Sequence, residues 1–427
     1  MPNLDPAKQR AFAVEVVREL RAHSYEAYWA GGCVRDQIMG RAPKDYDVAT
    51  TARPDEIRKV FSSRRTAPVG ESFGVVCVVG PRKAGQIEVA TFRQDAGYSD
   101  GRHPDAVTFS TPEMDAQRRD FTINGMFFDP MDQRVIDYVG GQQDLKQGVI
   151  RAIGDPIERF SEDKLRLLRA VRFTAGFGFE LDPGTRAAVE RIAAEVTAVS
   201  VERIAGELRL MLLHSSRVQA FALLRDVGLL AAVLPELCTN QSEAAQTAAL
   251  PADEAWSTTL NTLAALDDPT FPLALAALLH AYVDAAGSAA ICRRLKLSNR
   301  DTRRTRWLVE HHAALTAAEE CAWPKLQRML IAEGIDELLS LHAAIARASG
   351  RSTAHVEHCR NVLRRPPEEL NPPPLVTGDD LVEHGVPRGK QYPRLLDAVR
   401  DAQLEQRIRT KDEGLALVDQ LRAKSKN

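Results

Sequence analysis

The period of the apolar positions changes part-way along the chain. Up to about residue 150 they gather in short β-rich runs, at 28–30, around Val48, at 74–79 and at 86–92, broken by turn signals such as Gly80-Pro81. Helical spacing alternates with these runs, so the first 150 residues read as an α+β module. From about Pro156 the strand signal nearly vanishes, and Leu, Ala, Arg and Glu recur at helical spacing to about Arg365. Two stretches interrupt that pattern. The polar segment 239–253 predicts a loop, and the proline-rich 366–374 predicts an extended linker, because proline has no N–H with which to continue a helix. From Val376 a small helical unit follows.

A chain of 427 residues exceeds what one hydrophobic core serves, so two to four domains are expected. No apolar run approaches the roughly 20 residues that span a bilayer, and the first ten residues lack the apolar core of a signal peptide. A cytoplasmic protein without a membrane partner is expected. The six cysteines (Cys33, Cys77, Cys238, Cys292, Cys321, Cys359) are scattered with no C-x-x-C pair, which predicts free thiols rather than disulfides or a zinc site. A net charge of −2 does not announce a nucleic-acid binder, yet one basic face is enough for RNA. Residues 159–172 supply one such face, and the arginines and lysines of 388–426 another.

The candidate chemistry begins at Ala30-Gly31-Gly32-Cys33-Val34-Arg35-Asp36, followed after a short gap by Asp45-Tyr46-Asp47. Strand side chains alternate, so D-x-D on a strand puts both carboxylates on one face, where two hard oxygen ligands can hold Mg²⁺. The glycine pair lets backbone N–H groups approach phosphates in the turn from a strand at 26–30 to a helix, and Arg35 lies one turn into that helix. Metal-assisted phosphoryl chemistry suits these residues. Taken singly, G-G also fits a tight turn and D-x-D a solvated strand end.

Two further motifs follow in order: Arg118-Arg119-Asp120-Phe121-Thr122-Ile123-Asn124, then Glu162-Asp163-Lys164-Leu165-Arg166 with Arg169 and Arg172. The three together resemble the class II tRNA nucleotidyltransferase and bacterial poly(A) polymerase family, firmly over 20–180 and loosely beyond. The resemblance implies a head similar to the DNA polymerase β nucleotidyltransferase fold with a mixed sheet (1–150). All-helical parts would follow: a neck that recognises the base (151–210), a body with a degenerate HD-like region (211–370) and a tail that binds tRNA (371–427). It implies attack of an RNA 3′-hydroxyl on the α-phosphate of CTP or ATP, with Mg²⁺ held by Asp45 and Asp47 and pyrophosphate released. Gly31, Gly32 and Arg35 would cradle the phosphates, and Arg119 would touch the nucleotide while Asp120 and Asn124 buttress the site. Glu88, on the strand 87–92, is the candidate third acid; an exposed strand-end glutamate is the plain alternative.

Asp163, Arg166, Arg169 and Arg172 recur at every third residue. On an α-helix each such step turns about 300°, giving a charged stripe that drifts by roughly 60° beside the apolar Leu165, Leu168 and Val171. A carboxylate at Asp163 can accept from the exocyclic amino group of cytosine or adenine while Arg166 donates to the adjacent ring acceptor. Guanine and uracil present a carbonyl there and are rejected. The same run also fits an exposed helix laced with ion pairs.

Residues 95–104 predict a mobile loop. Family members that add only CC carry a shortened loop, so its full length favours complete CCA or A addition. His280 is followed by Ala281 where an HD metal site needs Asp, so hydrolase activity is not expected, and His311, His312, His355, His358 and Cys359 read as surface residues. Residues 385–390 lack the P-loop spacing and read as a turn from which Arg388 and Lys390 can touch tRNA phosphates. The expected activity is CCA addition to tRNA. The alternatives are an A-adding enzyme, a poly(A) polymerase and an inactive RNA-binding protein.

Overall fold

The computed structural model describes residues 4–62, 64–68, 74–96, 106–238 and 252–424. The chain folds into two compact units, Met1–Thr239 with Arg294–Lys296, and Asn240–Arg293 with Leu297–Asn427. The expected body, 211–370, straddles that division.

The first unit opens with α1 (Pro6–Ala22). Asp5 starts it by accepting from the N–H groups of Ala7 and Lys8, and Phe12, Val16, Val17 and Leu20 form its buried face. A seven-stranded sheet follows, with β1 (Ala27–Ala30), β2 (Asp47–Thr50), β3 (Thr66–Pro68), β4 (Val75–Val79), β5 (Gln86–Thr91), β8 (Phe127–Asp129) and β9 (Arg134–Ile136). Their order is β3-β4-β5-β2-β1-β8-β9, and only β2 and β5 run parallel, so the sheet is mixed. A separate ribbon pairs β6 (Arg93–Ala96) with β7 (Ala106–Phe109). Asp95 and Ala96 therefore belong to a strand rather than to the expected loop, whose remaining residues, up to 104, lie outside the described ones.

Only β5 buries alternate residues; β1, β2, β4 and β8 bury successive ones, as strands covered on both faces do. Trp29 on β1 is fully buried, its indole Nε1 donating to the Ala13 carbonyl at 3.2 Å, and Phe92 and Phe127 meet edge-to-face beside Ala30 and Ala49. Each such burial contributes about 1.5–3 kcal/mol. The short helices of this part are α2 (Gly32–Ile38), α3 (Pro54–Phe61), α4 (Pro112–Gln117) and α5 (Gly141–Gln147).

The helical part of this unit holds α6 (Pro156–Glu162), α7 (Leu165–Phe177), α8 (Pro183–Ile192), α9 (Val201–Leu212), α10 (Arg217–Asp226) and α11 (Leu229–Val233). One strand pair survives where only helix was expected, β10 (Val149–Ile150) lying parallel to β11 (Glu180–Leu181).

In the second unit every described element is helical. The helix Phe271–Leu279 is buried almost all round, as its uniformly apolar sequence requires. The stretch 366–374 is not wholly extended: Pro367–Leu370 form one helical turn, because proline is tolerated in a first turn whose N–H groups have no intrahelical partner. Val376, Leu381, Leu395, Val399 and Val418 build a small core of their own. The histidines expected on the surface, His311, His312, His355 and His358, are instead half-buried, and His312 and His355 line, together with His280 and His342, a cavity of about 940 Å³ in this unit. Burial lowers the His280 and His342 pKa values to about 4, which keeps both neutral. Among the described residues, no helix is long and apolar enough to cross a membrane.

Candidate active site

The end of β1 hands the chain to Gly31, whose φ of +73° is a conformation that L side chains rarely adopt. A Cβ there would also stand 2.9 Å from Arg119 Nη1, so a side chain at 31 would be strained by the backbone and would displace the end of Arg119. Gly32 differs. Its φ is not positive and a Cβ would meet only Arg35 Nη2, at an ordinary 3.6 Å. The protein itself does not demand glycine at 32, which leaves close approach of a ligand as a reason for it, beside first-turn N–H groups that lack intrahelical acceptors.

Across the strand end, β2 starts at Asp47, which pairs with Ala30 on β1 and with Glu88 on β5. Asp45 is not on the strand; it sits in the bend before it, so the carboxylate pair is made by the turn into β2 rather than by strand alternation. Burial, then the charges of Asp45 and Glu88, push the Asp47 pKa up to about 6, against the pull of Arg119. The carboxylate still presents itself to solvent in the cleft. Cys33, beneath it, is a buried thiol whose pKa burial raises to about 12, so it stays protonated.

Facing these acids is a network of arginines. Asp115 on α4 is buried and accepts from both Arg118 Nε at 2.8 Å and Arg119 Nη2 at 2.9 Å. Burial works to raise its pKa, but Arg119 and Arg118 outweigh that and lower it. Asp120 Oδ1 accepts from the Phe121 N–H and from Asn124 Nδ2, while Oδ2 takes a two-pronged contact from Arg169 at 2.9 and 2.6 Å. Against the effect of burial, Arg169 and Asn124 hold its pKa down to about 2. Arg35 is buried, donates to Asn124 Oδ1 at 2.6 Å and to Asp36, and lies 4.6 Å from the Phe177 ring centroid. Its guanidinium edges the cleft with several donors already engaged.

The run 163–172 is not one helical stripe. Asp163 terminates α6 in extended backbone and its Oδ1 accepts from the Leu165 N–H, so it caps the start of α7 instead of riding on it. Arg203 of α9 grips that carboxylate with both terminal nitrogens, at 3.1 and 2.7 Å. Arg166 donates to Glu162 and to the carbonyls of Arg159 and Arg118. Arg172 pairs with the buried Glu207 of α9 at 2.5 Å.

One cleft of about 570 Å³ is lined by Gly31, Gly32, Arg35, Asp45, Asp47 and Arg119 on one side and by Asp163, Arg166 and Arg169 on the other. Glu88 stands one strand behind Asp47, and Arg172 one turn beyond, neither on the lining. Arg388 and Lys390 lie on an exposed turn of the second unit. Three residues that build the site escaped sequence reading, Asp115, Arg203 and Glu207, and Arg118 was read only as the first residue of its motif. Arg203 carried a signal, since a cation in the first turn of a helix opposes the helix dipole and asks for another reason to be there.

The donor set fits a divalent cation. Two carboxylates with little opposing charge suit Mg²⁺, which keeps waters and takes its remaining ligands from substrate phosphates. Consistent with that open coordination, no group of three or more His, Cys, Asp or Glu side chains among the described residues is arranged to enclose a metal by itself.

Residues 27–151 match the model of the poly A polymerase head domain, and 178–240 that of a probable RNA- and SrmB-binding site of polymerase A. The CCA-adding enzyme of Geobacillus kaustophilus is 33% identical over 97% of this chain and 98% of its own length. The chain belongs to the CCA-adding enzymes. Members of this family are metal-dependent nucleotidyltransferases, and the chain is an enzyme of that class. Poly(A) polymerase I of Haemophilus influenzae is 36% identical, but over 54% of this chain and 53% of its own length. The crystal structure of the Bacillus stearothermophilus CCA-adding enzyme in complex with CTP superposes with a TM-score of 0.73 at 29% identity, covering 97% of this chain and 98% of that one. The nucleotidyltransferase head and the helical region after it are thus the fold of this family.

Proposed function

We propose that this enzyme builds or repairs the 3′-terminal CCA of tRNA from CTP and ATP, in the cytoplasm where tRNA is used, with Mg²⁺ at Asp45 and Asp47. The observation that carries the reading is the pair of poorly compensated carboxylates facing a prebuilt arginine network in a chain matched end to end by a CCA-adding enzyme. The poly(A) alternative is weaker because the relative of that name matches only about half of the chain.

The RNA 3′-oxygen bonds to the α-phosphorus of the nucleotide, the bond from that phosphorus to the bridging oxygen breaks, and pyrophosphate leaves. A divalent cation held at Asp45 and Asp47 would acidify the attacking hydroxyl and spread the charge developing on the phosphates. Asp45 and Asp47 hold it, with Glu88 keeping the local field negative from the neighbouring strand. Gly31 and Gly32 let the triphosphate approach the backbone, and Arg35 and Arg119 face its charge. Asp163 and Arg166 read the base, Asp163 accepting the amino group that cytosine and adenine share, and Arg203 orients that carboxylate. Arg169 and Arg172 position the helix that carries Arg166 by binding Asp120 and Glu207. The division into head, neck, body and tail at 150, 210 and 370, and tRNA phosphate contacts at Arg388 and Lys390, belong to the same proposal.

Labelled CTP and ATP, given separately and together with Mg²⁺ to tRNA transcripts ending at the discriminator base, at C or at CC, test it. Addition of CCA and then arrest is expected. A single A on the CC-ended transcript alone, long A tails, or no incorporation would each overturn it.

A further inference from the structure

A second cationic surface stands at the rim of the cleft, on the side of the carboxylates. Lys44 immediately precedes Asp45, and Arg41 lies four residues before Asp45, both exposed. Neither side chain makes an ion pair or hydrogen bond with any described residue, in contrast to the arginines inside the cleft. Arg41 lies 5.6 Å from the Phe177 ring centroid. Phe177 stacks on Phe173 with centroids 5.8 Å apart and planes 8° from parallel, and Arg172 lies 4.2 Å from the Phe173 centroid. The two rings of α7 thus hold cations from two parts of the chain along one aromatic ledge.

His214, just past the end of α9, completes the surface. It is exposed, and a Cβ on Gly176 of α7 would stand 3.9 Å from its Cε1. Its Nδ1 meets both the Ser216 N–H, at 3.2 Å, and Ser216 Oγ, at 2.7 Å; with Nδ1 accepting from both, the outer ring nitrogen, Nε2, carries the proton of the neutral ring. Partial burial and then the charges of Lys44, Arg217, Arg41 and Arg172 lower its pKa, so it is a neutral N–H donor set among cations. Arg172 is compensated by the buried Glu207, whereas Arg41 and Lys44 bring two positive charges without an ion pair to the surroundings of this exposed histidine.

We propose that Arg41, Lys44 and His214 form the docking surface for the phosphates of the RNA strand just upstream of its 3′ end, and so deliver the attacking hydroxyl to Asp45 and Asp47. The assignment rests on the nucleotidyl-transfer reading above. It follows from position: the growing strand must reach the carboxylates with its 3′-hydroxyl, and its preceding phosphates need cations outside the nucleotide's own cradle. Lys44 and Arg41 lie on that side and have no ion pair with any described residue, and a neutral imidazole N–H can donate to a phosphate oxygen.

The test is steady-state kinetics of the full chain carrying Arg41→Ser and Lys44→Ser together, with tRNA and CTP varied in turn. Both positions are exposed, and a thermal melt checks that the variant is folded. The KM for tRNA is expected to rise about tenfold or more, as for loss of charge-assisted hydrogen bonds, while the KM for CTP holds. The dependence of log affinity on log salt should flatten by about 0.7 for each single-strand phosphate that the variant no longer neutralises. His214→Ala should raise the KM for tRNA without flattening the salt slope, because it removes a neutral donor. An unchanged KM for tRNA would overturn the proposal, and a rise in the KM for CTP would reassign the surface to the triphosphate. Failure of the unaltered protein to incorporate any nucleotide would instead sink the underlying reading.

Discussion

The two sides of the cleft treat charge in opposite ways. On the arginine side each carboxylate has its cation: Asp115 has Arg118 and Arg119, Asp120 has Arg169, and Asp163 has Arg203. On the other side burial, then the charges of Asp45 and Glu88, raise the cost of ionising Asp47, with Arg119 the counterweight. The first side is finished by folding and, on the function proposed above, positions the nucleotide's base. The second is left electrostatically unfinished, and on the same proposal a bound cation would complete it. Active sites often store such destabilisation, because charge matched in the resting protein is not available to the reaction.

Substitutions at the two sides should therefore separate activity from stability. Asp47→Asn is expected to lower incorporation by at least about a thousandfold while leaving the melting temperature level or raised, since it removes a repelled carboxylate. Asp120→Ala should do the reverse in stability, costing about 3 kcal/mol by stranding Arg169 and Asn124, which denaturant unfolding would read. A melting temperature that falls with Asp47→Asn as far as with Asp120→Ala would erase the contrast.

The glycine pair gives a finer version. Gly31→Ala should destabilise by about 2 kcal/mol, from the positive φ and the 2.9 Å approach to Arg119. Gly32→Ala should stabilise slightly, by up to about 1 kcal/mol of helix propensity, yet raise the KM for CTP and ATP. Smallest of all, Arg203→Ala should leave the chain folded and raise the KM for CTP a few-fold, about 1 kcal/mol, because Asp163 keeps its bond to the Leu165 N–H but loses its clamp.

Much of this contrast was legible in the sequence, and its gaps have physical reasons. The strands around Val48, 74–79 and 86–92 showed themselves because their apolar runs are buried on the sheet. Gly31, Asp45 and Asp47 stood out because turn chemistry and paired acids are local patterns. Asp163 misled, because a period of three looks the same whether its first member rides on the helix or caps it. Arg203 and Glu207 lie 40 and 35 residues from their partners, Asp163 and Arg172, and only the packing of α9 on α7 unites them. The histidines of the second unit were misjudged as surface residues because neighbouring charges hid how deeply their helices pack.

The unfinished side also carries a pH signature. The Asp47 pKa is raised in the folded state, so the folded protein binds its proton more tightly than the unfolded chain does. That proton favours the fold below pH 4, and the advantage is lost as pH rises through about 6, where Asp47 must carry its charge while buried and beside Asp45 and Glu88. The Asp120 pKa, held down to about 2, works the other way, favouring the fold above pH 4 and losing that contribution as pH falls through 2. The most direct test is therefore thermal unfolding of the unaltered protein and of Asp47→Asn with and without saturating Mg²⁺, at about pH 7.5 and about pH 5. Stabilisation by Mg²⁺ in the unaltered protein at the higher pH, weakened at the lower pH and lost in the variant, is the expected result. Equal stabilisation of both proteins, or of neither, would contradict the assignment of Asp45 and Asp47 as the ligands of a divalent cation.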